Sequence, residues 1–275
     1  MPGILYLVGT PIGNLSDISP RALDTLREVD FIAAEDTRVS MKLLSHFEIK
    51  KPLVSYYEHN RYASGARILE RLLAGESCAL VTDAGTPAIS DPGEDIVRQC
   101  ADAGVPVTPI PGASAVIAAL AISGLPTGRF CFEGFLSMTR KNRTEHLESL
   151  RAEKRTMVFY EAPHKLVRTL TDMLAVFGAR KIALCRELTK LHEECIRTTL
   201  SEALARYTET PPRGEFVLVI EGAPEVSAPE TTPEQALELV EKYRAEGRSL
   251  KEACKLASAE TGFGKNELYD MAVRK

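Results

Sequence analysis

The stretch ILYLVGTPIGNL, residues 4–15, decides how this chain folds. Its first part, Ile4–Val8, is an uninterrupted apolar run with the length of a buried strand. Gly9 ends this run and opens a loop of small residues, and Ser19-Pro20 then starts a helix, because proline is favoured at the first helical position. A buried strand, a tight loop and a helix in this order predict an α/β sheet that contains parallel strands.

Strand and helix patterns continue to alternate outward from this stretch, through two successive units. In the first unit, assigned to residues 1–120, further strands are predicted at 31–34 and 78–81 and helices at 67–73, 94–103 and 115–122. In the second unit, residues 121–224, the patterns predict strands at 130–135, 157–160, 181–185, 193–201 and 215–220, and helices at 143–153, 163–177 and 201–208. The expected fold class is therefore α/β, with two α/β domains.

The last part of the chain has a different pattern. Residues 224–233 are rich in Pro, Glu, Thr and Ser, which is typical of a linker. Helices are predicted beyond it at 233–246, 249–260 and 264–274, with Gly247 and Gly262 as stop signals. These helices would form a C-terminal module, residues 233–275, that resembles a helix-turn-helix, and a helical cap on the sheet is the alternative.

The composition excludes some classes of protein. A net charge of −4 on 275 residues argues against a simple basic coat on nucleic acid, although it allows one local basic face. The six cysteines form no C-x-x-C pair, so free thiols in a reducing compartment are expected, and the spacing of the histidines predicts no metal site. With no signal-peptide pattern and no apolar run that spans a bilayer, we expect a cytoplasmic location without membrane contact.

Three loops have a composition that favours ligand binding. They are Gly9–Leu15, Asp83–Gly93 and Pro109–Ala115, and each is expected to follow the carboxyl end of a parallel strand, where open α/β sheets bind their ligands. Glycine and alanine let the backbone approach a ligand closely, and proline limits the entropy that the loop loses on binding. The loops contain no dinucleotide or P-loop signature and few cations, so the expected ligand has little negative charge.

Seven motifs, in order along the chain, resemble the tetrapyrrole-methylase superfamily. Within it they resemble the branch that methylates the ribose 2′-oxygen of a cytidine in small-subunit (16S) ribosomal RNA. The resemblance covers about residues 4–224, and the helical tail resembles the extension of that branch. The motifs are Gly9–Leu15, Ala34–Arg38, Asp83–Gly93, Pro111–Ala115, Tyr160–Leu166, Cys185–Lys190 and Gly214–Phe216.

The resemblance implies a cofactor, a partner and a set of contacts. It implies two α/β domains with S-adenosylmethionine in the cleft between them, a homodimer, and 16S rRNA or the small ribosomal subunit as partner. The cofactor contacts that it implies fall on Pro11, Ile12, Asp83, Gly85, Thr86, Pro87, Ile89, Ser114, Ala115, Tyr160, Ala162 and Glu187.

The catalytic candidates are polar side chains that follow strands beside the cofactor loops. Methyl transfer to a hydroxyl needs a positioned acceptor and a group that takes its proton or stabilises the alkoxide. A carboxylate, Glu35 or Glu161, or else Lys190 is expected to take the proton, and Arg186 to hold phosphate or sugar. For each residue, a structural ion pair at the end of a strand is the alternative.

Several cations and one histidine are candidates for RNA contact. Arg38 follows an acidic pair, and His59 and Arg61 lie beside two tyrosines in a segment suited to stacking on a nucleotide and gripping it. Residues 138–155 carry six cations and three glutamates, which makes Arg140, Lys141 and Arg143 candidates for phosphate contacts. A solvated helix face is the alternative interpretation of that segment.

Two other functions remain open on the sequence alone. One is a methyltransferase for a corrin or other tetrapyrrole precursor, and the basic segment and the helical tail argue against it. The other is a ribosome-binding protein without catalytic activity, and the three cofactor-type loops with polar groups around them argue against that.

Overall fold

Leu5–Val8 forms strand β1 inside a five-stranded sheet, as expected for an apolar run whose two faces are both covered. The computed structural model describes residues 1–224 and 232–274, and the chain divides into two compact units, Met1–Ala223 and Pro224–Lys275. All strand pairs of this first sheet are parallel, in the order β3-β2-β4-β1-β5. Its other strands are β2 (Phe31–Ala34), β3 (Leu53–Ser55), β4 (Cys78–Val81) and β5 (Val107–Ile110).

Helices cover both faces of the first sheet. They are α1 (Pro20–Glu28), α2 (Thr37–His46), α3 (Arg61–Leu73) and α4 (Glu94–Asp102). Successive residues of β2 point to opposite faces, so that Phe31 packs with residues of α3 and α4, whereas Ile32 packs with residues of α1 and α2. Ser19 caps α1 as its sequence predicts, since the Ser19 hydroxyl oxygen accepts a hydrogen bond from the Ala22 N–H at 3.1 Å.

A second five-stranded sheet follows α5 (Ala115–Ile122). Its strands are β6 (Phe130–Phe135), β7 (Thr156–Glu161), β8 (Lys181–Arg186), β9 (Glu194–Thr199) and β10 (Phe216–Ile220). Their order is β6-β7-β10-β8-β9. β6 and β7 pair in parallel, and the other three pairs are antiparallel, which the alternating pattern did not predict.

Helix α5 joins the two sheets into one unit. One face of the second sheet is covered by α6 (Arg140–Ser149), α7 (Leu166–Phe177) and α8 (Leu200–Glu209). The opposite face is covered by α5, whose residues Val116, Ala119 and Leu120 pack with Val158 and Val217 of the sheet. Because α5 follows β5 directly, the loop between them is held against both sheets.

The sequence patterns missed α2 and β3 and predicted too short a helix α3. α2 begins inside a polar motif that was interpreted only as a functional loop, although Asp36 is a normal cap and accepts from the Arg38 N–H at 2.8 Å. β3 has three half-exposed residues at the edge of the sheet, which is too short for a periodic signal. β5 contains Pro109, which is tolerated because β5 is the other edge strand.

The C-terminal unit contains three helices, α9 (Pro233–Ala245), α10 (Leu250–Thr261) and α11 (Lys265–Arg274), and each end lies within one residue of its prediction. Gly262 ends α10 in the left-handed conformation, with φ of +77°. The unit has its own core of buried residues, namely Ala236, Val240, Ala253, Cys254, Ala257 and Leu268.

The predicted fold class is confirmed: two sheets with helices on their faces, followed by a small helical module. Residues 225–231, most of the predicted linker, and Lys275 lie outside the described residues. Within the described ranges, none of the helices has the length and apolar character needed to cross a membrane.

Candidate active site

The three loops singled out in the sequence lie side by side at one edge of the first sheet. They follow β4, β1 and β5, which are neighbouring parallel strands, so that their carboxyl ends meet at the same edge. Thr10 and Gly85 exchange two backbone hydrogen bonds, of 2.8 and 3.2 Å, which tie the first loop to the second. The Thr86 hydroxyl donates to the Ala113 carbonyl at 3.3 Å and ties the second loop to the third.

Two glycines let the first and third loops touch through their backbones. A Cβ atom on Gly112 would lie 2.6 Å from the carbonyl oxygen of Gly9, and a Cβ on Gly9 would lie 2.8 Å from the Cα of Gly112. Both distances are far inside van der Waals contact, so neither position accepts a side chain without separating the loops. Close approach of the backbone is therefore the reason for glycine at these two positions.

A cavity of about 540 Å³ opens between these loops and the second sheet. Its walls come from the loops after β1, β4 and β5 on one side and from β6, β7, β8 and β10 on the other. The lining residues Ala115, Leu188 and Val217 also belong to the packed cluster between α5 and the second sheet, which makes that wall rigid. The cleft expected between the two α/β layers is thus present.

Nine of the twelve predicted cofactor contacts line this cavity: Ile12, Asp83, Gly85, Thr86, Ile89, Ser114, Ala115, Tyr160 and Ala162. Pro11 lies instead in an adjoining cavity of about 400 Å³, and Pro87 is buried and lines neither cavity. The third exception, Glu187, holds a turn together, because its Oε1 accepts from the Glu215 N–H at 2.9 Å and from Lys190 Nζ at 3.0 Å. These contacts, of which the Glu215 N–H has the largest effect, lower the pKa of the Glu187 carboxyl.

The cavity is strongly acidic. Among the described residues, its lining includes no Lys, Arg or His but contains five carboxylates, which are Glu35, Asp83, Asp91, Glu161 and Glu215. Burial, followed by the charge of Asp83, raises the pKa of Glu35. Burial, followed by the charges of Glu35 and Asp83, raises the pKa of Asp91 to about 6. A site of this kind favours a cationic ligand and opposes a phosphate.

Asp91 was not among the predicted site residues. The sequence placed it only inside the second loop, and its neighbour Ser90 gives the structural signal, because Ser90 has a φ of 59° and Ala88 has a φ of 68°. Residues with side chains rarely adopt this left-handed conformation, and such strain concentrates at functional sites. The charge of Asp91, after burial, also raises the pKa of Tyr160, which lines the cavity from the second sheet.

The four predicted catalytic residues occupy different environments. The Glu161 carboxylate is buried and accepts from the Ala162 N–H at 2.8 Å and from the Thr169 hydroxyl, with Lys165 Nζ at 3.5 Å. With its oxygens engaged in this way, Glu161 holds the start of α7 in place. Glu35 lines the cavity and accepts a single protein hydrogen bond among those described, from the backbone of Asp83.

Lys190 and Arg186 are held in ion pairs. Lys190 Nζ lies 2.8 Å from Glu215 and 3.0 Å from Glu187. Burial lowers the pKa of Lys190, but the hydrogen bonds to these carboxylates outweigh it and raise the pKa overall, so the amine stays protonated. Arg186 pairs with Glu194 at 3.2 Å and is not part of the cavity lining.

Some of the predicted RNA contacts are exposed side chains, and others are already held in ion pairs within the protein. Arg38 has 86% of its side chain exposed and pairs with Asp36 at 2.6 Å, beside the loop that carries Asp83. His59 is exposed near the ring of Tyr57, as the stacking hypothesis requires. Arg61, in contrast, is already paired with Glu58 at 2.7 Å and with Asp95 at 2.9 Å.

The basic segment 138–155 requires one correction. Arg143 is only 3% exposed; it pairs with Asp172 at 2.6 Å and donates to the carbonyls of Ser137 and Met138 at 3.1 and 3.2 Å. The prediction that Arg143 contacts RNA phosphate was therefore wrong, because this guanidinium braces the loop before α6. Arg140 and Lys141 are exposed, and their contact with phosphate stays a prediction.

The residues that the structure describes contain no group of three or more His, Cys, Asp or Glu side chains placed to hold a metal ion. The absence of a metal from the mechanism stays a prediction.

Comparison with known proteins places this architecture in a family. The chain is 49% identical over 272 residues to "Ribosomal RNA small subunit methyltransferase I" of Synechocystis, and 50% identical over 272 residues to the Bacillus subtilis protein of the same name. These alignments cover 98% of this chain in both cases, and 98% and 93% of the two relatives.

The fold is also found among solved structures. The uroporphyrin-III C-methyltransferase of Thermus thermophilus, solved with S-adenosyl homocysteine, superposes with a TM-score of 0.57 at 18% sequence identity, over 80% of this chain and 97% of that one. Residues 4–204 match the family described as Tetrapyrrole (Corrin/Porphyrin) Methylases. The chain therefore belongs to the tetrapyrrole methylase family.

Proposed function

We propose that the protein transfers a methyl group from S-adenosylmethionine to small-subunit (16S) ribosomal RNA, at the ribose 2′-oxygen of a cytidine. The observation that carries the proposal is the acidic cavity between the two sheets, since it selects a cationic donor and a neutral acceptor group. The relatives named for ribosomal RNA methylation, similar over nearly the whole chain, support the choice of RNA.

S-adenosylmethionine is the cofactor of this family, and the lining of the cavity fits it. Its sulfonium is a cation, which the carboxylates stabilise, whereas a phosphorylated cofactor would be repelled. Gly85, Ser114, Ala115 and Ala162 would hold it, because their small side chains leave room for a flat ring system against the backbone. When bound, the cofactor supplies an activated methyl group.

A carboxylate at the acidic end of the cavity accepts the proton of the acceptor hydroxyl. Glu35 and Asp91 are the two candidates, because both line the cavity and both have a raised pKa, which brings their basicity toward the working pH. Glu161 is engaged by three protein groups, and the Lys190 amine is kept protonated. The polar and charged neighbours of these two residues thus support a structural role for them.

The charge of the cavity also bears on the alternative acceptor. Corrin and porphyrin precursors carry several carboxylates, and these would meet the lining carboxylates Glu35, Asp83 and Asp91, which have no ion pair among the described residues, whereas Glu161 and Glu215 are already paired with lysines. A nucleotide of RNA differs, because its ribose and base are neutral and its phosphates are able to stay outside the cavity. The lining therefore favours the RNA acceptor.

Transfer of radioactive methyl from labelled S-adenosylmethionine tests the proposal. Small ribosomal subunits, protein-free 16S rRNA and a uroporphyrinogen are offered in parallel, and nuclease digestion of any labelled RNA identifies the modified nucleoside. We expect label in 2′-O-methylcytidine from RNA or subunits. Label in the tetrapyrrole alone would overturn the proposal for the acceptor, and label in none of the three would overturn the proposal for the reaction.

The expected homodimer is part of the same proposal. Sedimentation of the protein at micromolar concentration gives its mass directly, and a mass near 60 kDa is expected from a chain of 30.1 kDa. A mass of one chain at all concentrations would remove the dimer without affecting the proposed reaction.

A further inference from the structure

The edge of the cavity carries an exposed aromatic ring that the proposed proton transfer does not use. Phe135, the last residue of β6, lines the cavity and keeps 55% of its surface exposed. Its ring centroid lies 5.4 Å from that of Tyr160, which lies 5.0 Å from that of Phe132. The inner two rings are partly buried, and the outer ring has a free surface. Exposure of so large an apolar group is unfavourable in water, so a ligand that covers it gains free energy.

A β-bulge determines where Phe135 lies. The register of β6 against β7 shifts between Phe132 and Gly134, so that Phe135 is paired with Tyr160. Gly134 has a φ of +64°, in the left-handed region that favours glycine, and a Cβ at this position would lie 3.1 Å from the Ser90 hydroxyl oxygen. Bulges beside active sites commonly redirect one side chain, and here the redirected side chain is the exposed ring.

Cations come from the segments next to this ring, in contrast to the acidic lining of the cavity: Arg140 and Lys141 follow Phe135 by five and six residues, and Arg168 is tied to the loop between them. Lys165 Nζ lies 5.4 Å from the centroid of Phe135 and is paired with Glu161, whereas the exposed Arg168 guanidinium donates to the Met138 carbonyl at 3.0 Å. Arg140-Lys141 form the first turn of α6, where the positive end of the helix dipole disfavours cations and where the described residues include no acidic side chain in that turn. An anion on this side would relieve the repulsion.

The change of charge between interior and edge selects one kind of occupant. A neutral ring and sugar suit the ring of Phe135 and the acidic interior, whereas an anionic backbone suits the cations outside. An unpaired nucleotide in a strand of RNA has this distribution of charge. A peptide offers no regular array of anions for the outer cations.

We propose that Phe135 is the platform on which a base of single-stranded RNA stacks while its ribose enters the cavity, with phosphates of the same strand at Arg140 and Arg168. The inference rests on the proposed function and adds to it the place and the contact of the acceptor nucleotide. Stacking on one aromatic face is tolerant of base identity, so this contact gives affinity and orientation, and the choice of cytidine comes from elsewhere.

Direct detection of stacking uses the absence of tryptophan from the chain. A Phe135→Trp variant contains one tryptophan, and its fluorescence is titrated with a single-stranded RNA dodecamer that contains cytidine. Saturable quenching is expected, and it weakens as salt rises because phosphate contacts contribute. Leu73→Trp is the control, since Leu73 is similarly exposed, at 52%, but lies on α3 and does not line the cavity.

Kinetics with small ribosomal subunits tests whether the platform serves the reaction. Phe135→Ala and Phe135→Leu are expected to lower kcat/KM for subunits about 5- to 100-fold, mainly through KM, because both lose the aromatic face. Phe135→Trp should stay within about threefold of the native protein, and S-adenosylmethionine affinity by calorimetry should change less than about threefold in all variants. This rescue by an aromatic residue separates stacking from a general need for an apolar side chain.

The outcomes separate the platform from the reaction. Methyl transfer by the native protein, together with an unchanged kcat/KM in Phe135→Ala and no quenching in Phe135→Trp, overturns the platform and leaves the proposed function intact. Quenching by RNA in a protein that methylates neither RNA nor subunits supports the platform and overturns the function. Rescue by leucine as well as tryptophan overturns stacking, because leucine has no π face.

Discussion

Replacing Asp91 with asparagine tests whether the cavity is built to hold a cation. Asp91 lines the cavity, and burial, then Glu35 and Asp83, raises its pKa to about 6 from an ordinary value of 3.8. Asparagine has nearly the same shape and removes only the charge. We expect the substitution to have opposite effects on the stability of the fold and on the affinity for S-adenosylmethionine.

The direction of the effect on the free energy of unfolding follows from the raised pKa of Asp91. The folded protein holds this proton more tightly than the unfolded chain, so the contribution of Asp91 to stability is complete below pH 3.8 and is lost as pH rises through about 6. A shift of roughly two pKa units corresponds to about 3 kcal/mol, and partial exposure to solvent reduces this to about 1 kcal/mol. Asp91→Asn should therefore raise the free energy of unfolding by about 1 kcal/mol at pH 8 and leave it unchanged near pH 4.

The expected effect on the affinity for S-adenosylmethionine is opposite, because the substitution weakens binding. A bound cation favours the charged carboxylate, so binding by the native protein should weaken as pH falls below about 6, by at most about tenfold per pH unit. In Asp91→Asn the affinity at pH 8 should fall about tenfold, which corresponds to one ion pair of about 1.4 kcal/mol, and its dependence on pH should be flatter.

Calorimetric titration with S-adenosylmethionine from pH 5 to pH 8 and thermal unfolding over the same range measure both effects. Asp102→Asn is the control, because Asp102 is exposed at the end of α4 and does not line the cavity. A variant that is both less stable and weaker in binding at pH 8, or one that keeps the pH dependence of the native protein, would refute the reasoning.

Three further variants test other parts of the structure. Gly112→Ala places a Cβ 2.6 Å from the Gly9 carbonyl oxygen, so it should lower the free energy of unfolding by about 1–3 kcal/mol in chemical denaturation and weaken cofactor binding. Gly128→Ala is the control, because the space around its Cβ is open, and it should change the free energy of unfolding by less than about 0.5 kcal/mol. Equal effects of the two substitutions would contradict the close contact between the loops. Glu35→Gln should lower kcat in the methyl-transfer assay about 100-fold or more, with little change in cofactor Kd, and an unchanged kcat would leave Asp91 as the proton acceptor. Arg140→Glu combined with Lys141→Glu should reduce the slope of log affinity against log salt for 16S rRNA by about 2, and an unaltered slope would exclude this turn from the interface.

Local patterns in the sequence predicted much of the framework. β2 and β4 are continuous apolar runs, and their predicted bounds agree with the structure because a central parallel strand is buried along its whole length. α5 was equally clear, since its small apolar residues lie between a loop and a serine-glycine turn. α2 was missed because its polar first turn was interpreted as a functional motif and its cap, Asp36, was overlooked.

The site was predictable where its residues act through the backbone or through small size. The three loops were found because glycine, proline and alanine have local meaning, and most of the predicted contacts in those loops line the cavity. Charged side chains were harder, because their partners come from distant parts of the chain. Arg143 is neutralised by Asp172, 29 residues away, and no pattern near Arg143 indicates that it is buried.

Asp91 illustrates the opposite difficulty. Its pKa is raised by burial and then by Glu35 and Asp83, and Glu35 is close because β2, which it follows, lies beside β4 in the sheet. No local pattern of the sequence gives the order of strands, so the sequence did not indicate that Glu35, after β2, lies beside Asp83 and Asp91 in the loop after β4.

The position of α5 has a consequence for dividing this protein into pieces. Because α5 is encoded with the first sheet but shields the second, a fragment that starts after residue 122 would leave the Val158 and Val217 side of its sheet bare and prone to aggregate. A split before residue 115 would keep that cover with its sheet. During synthesis, more than 90 residues must be added after α5 before β10 emerges and completes the sheet surface against which α5 packs.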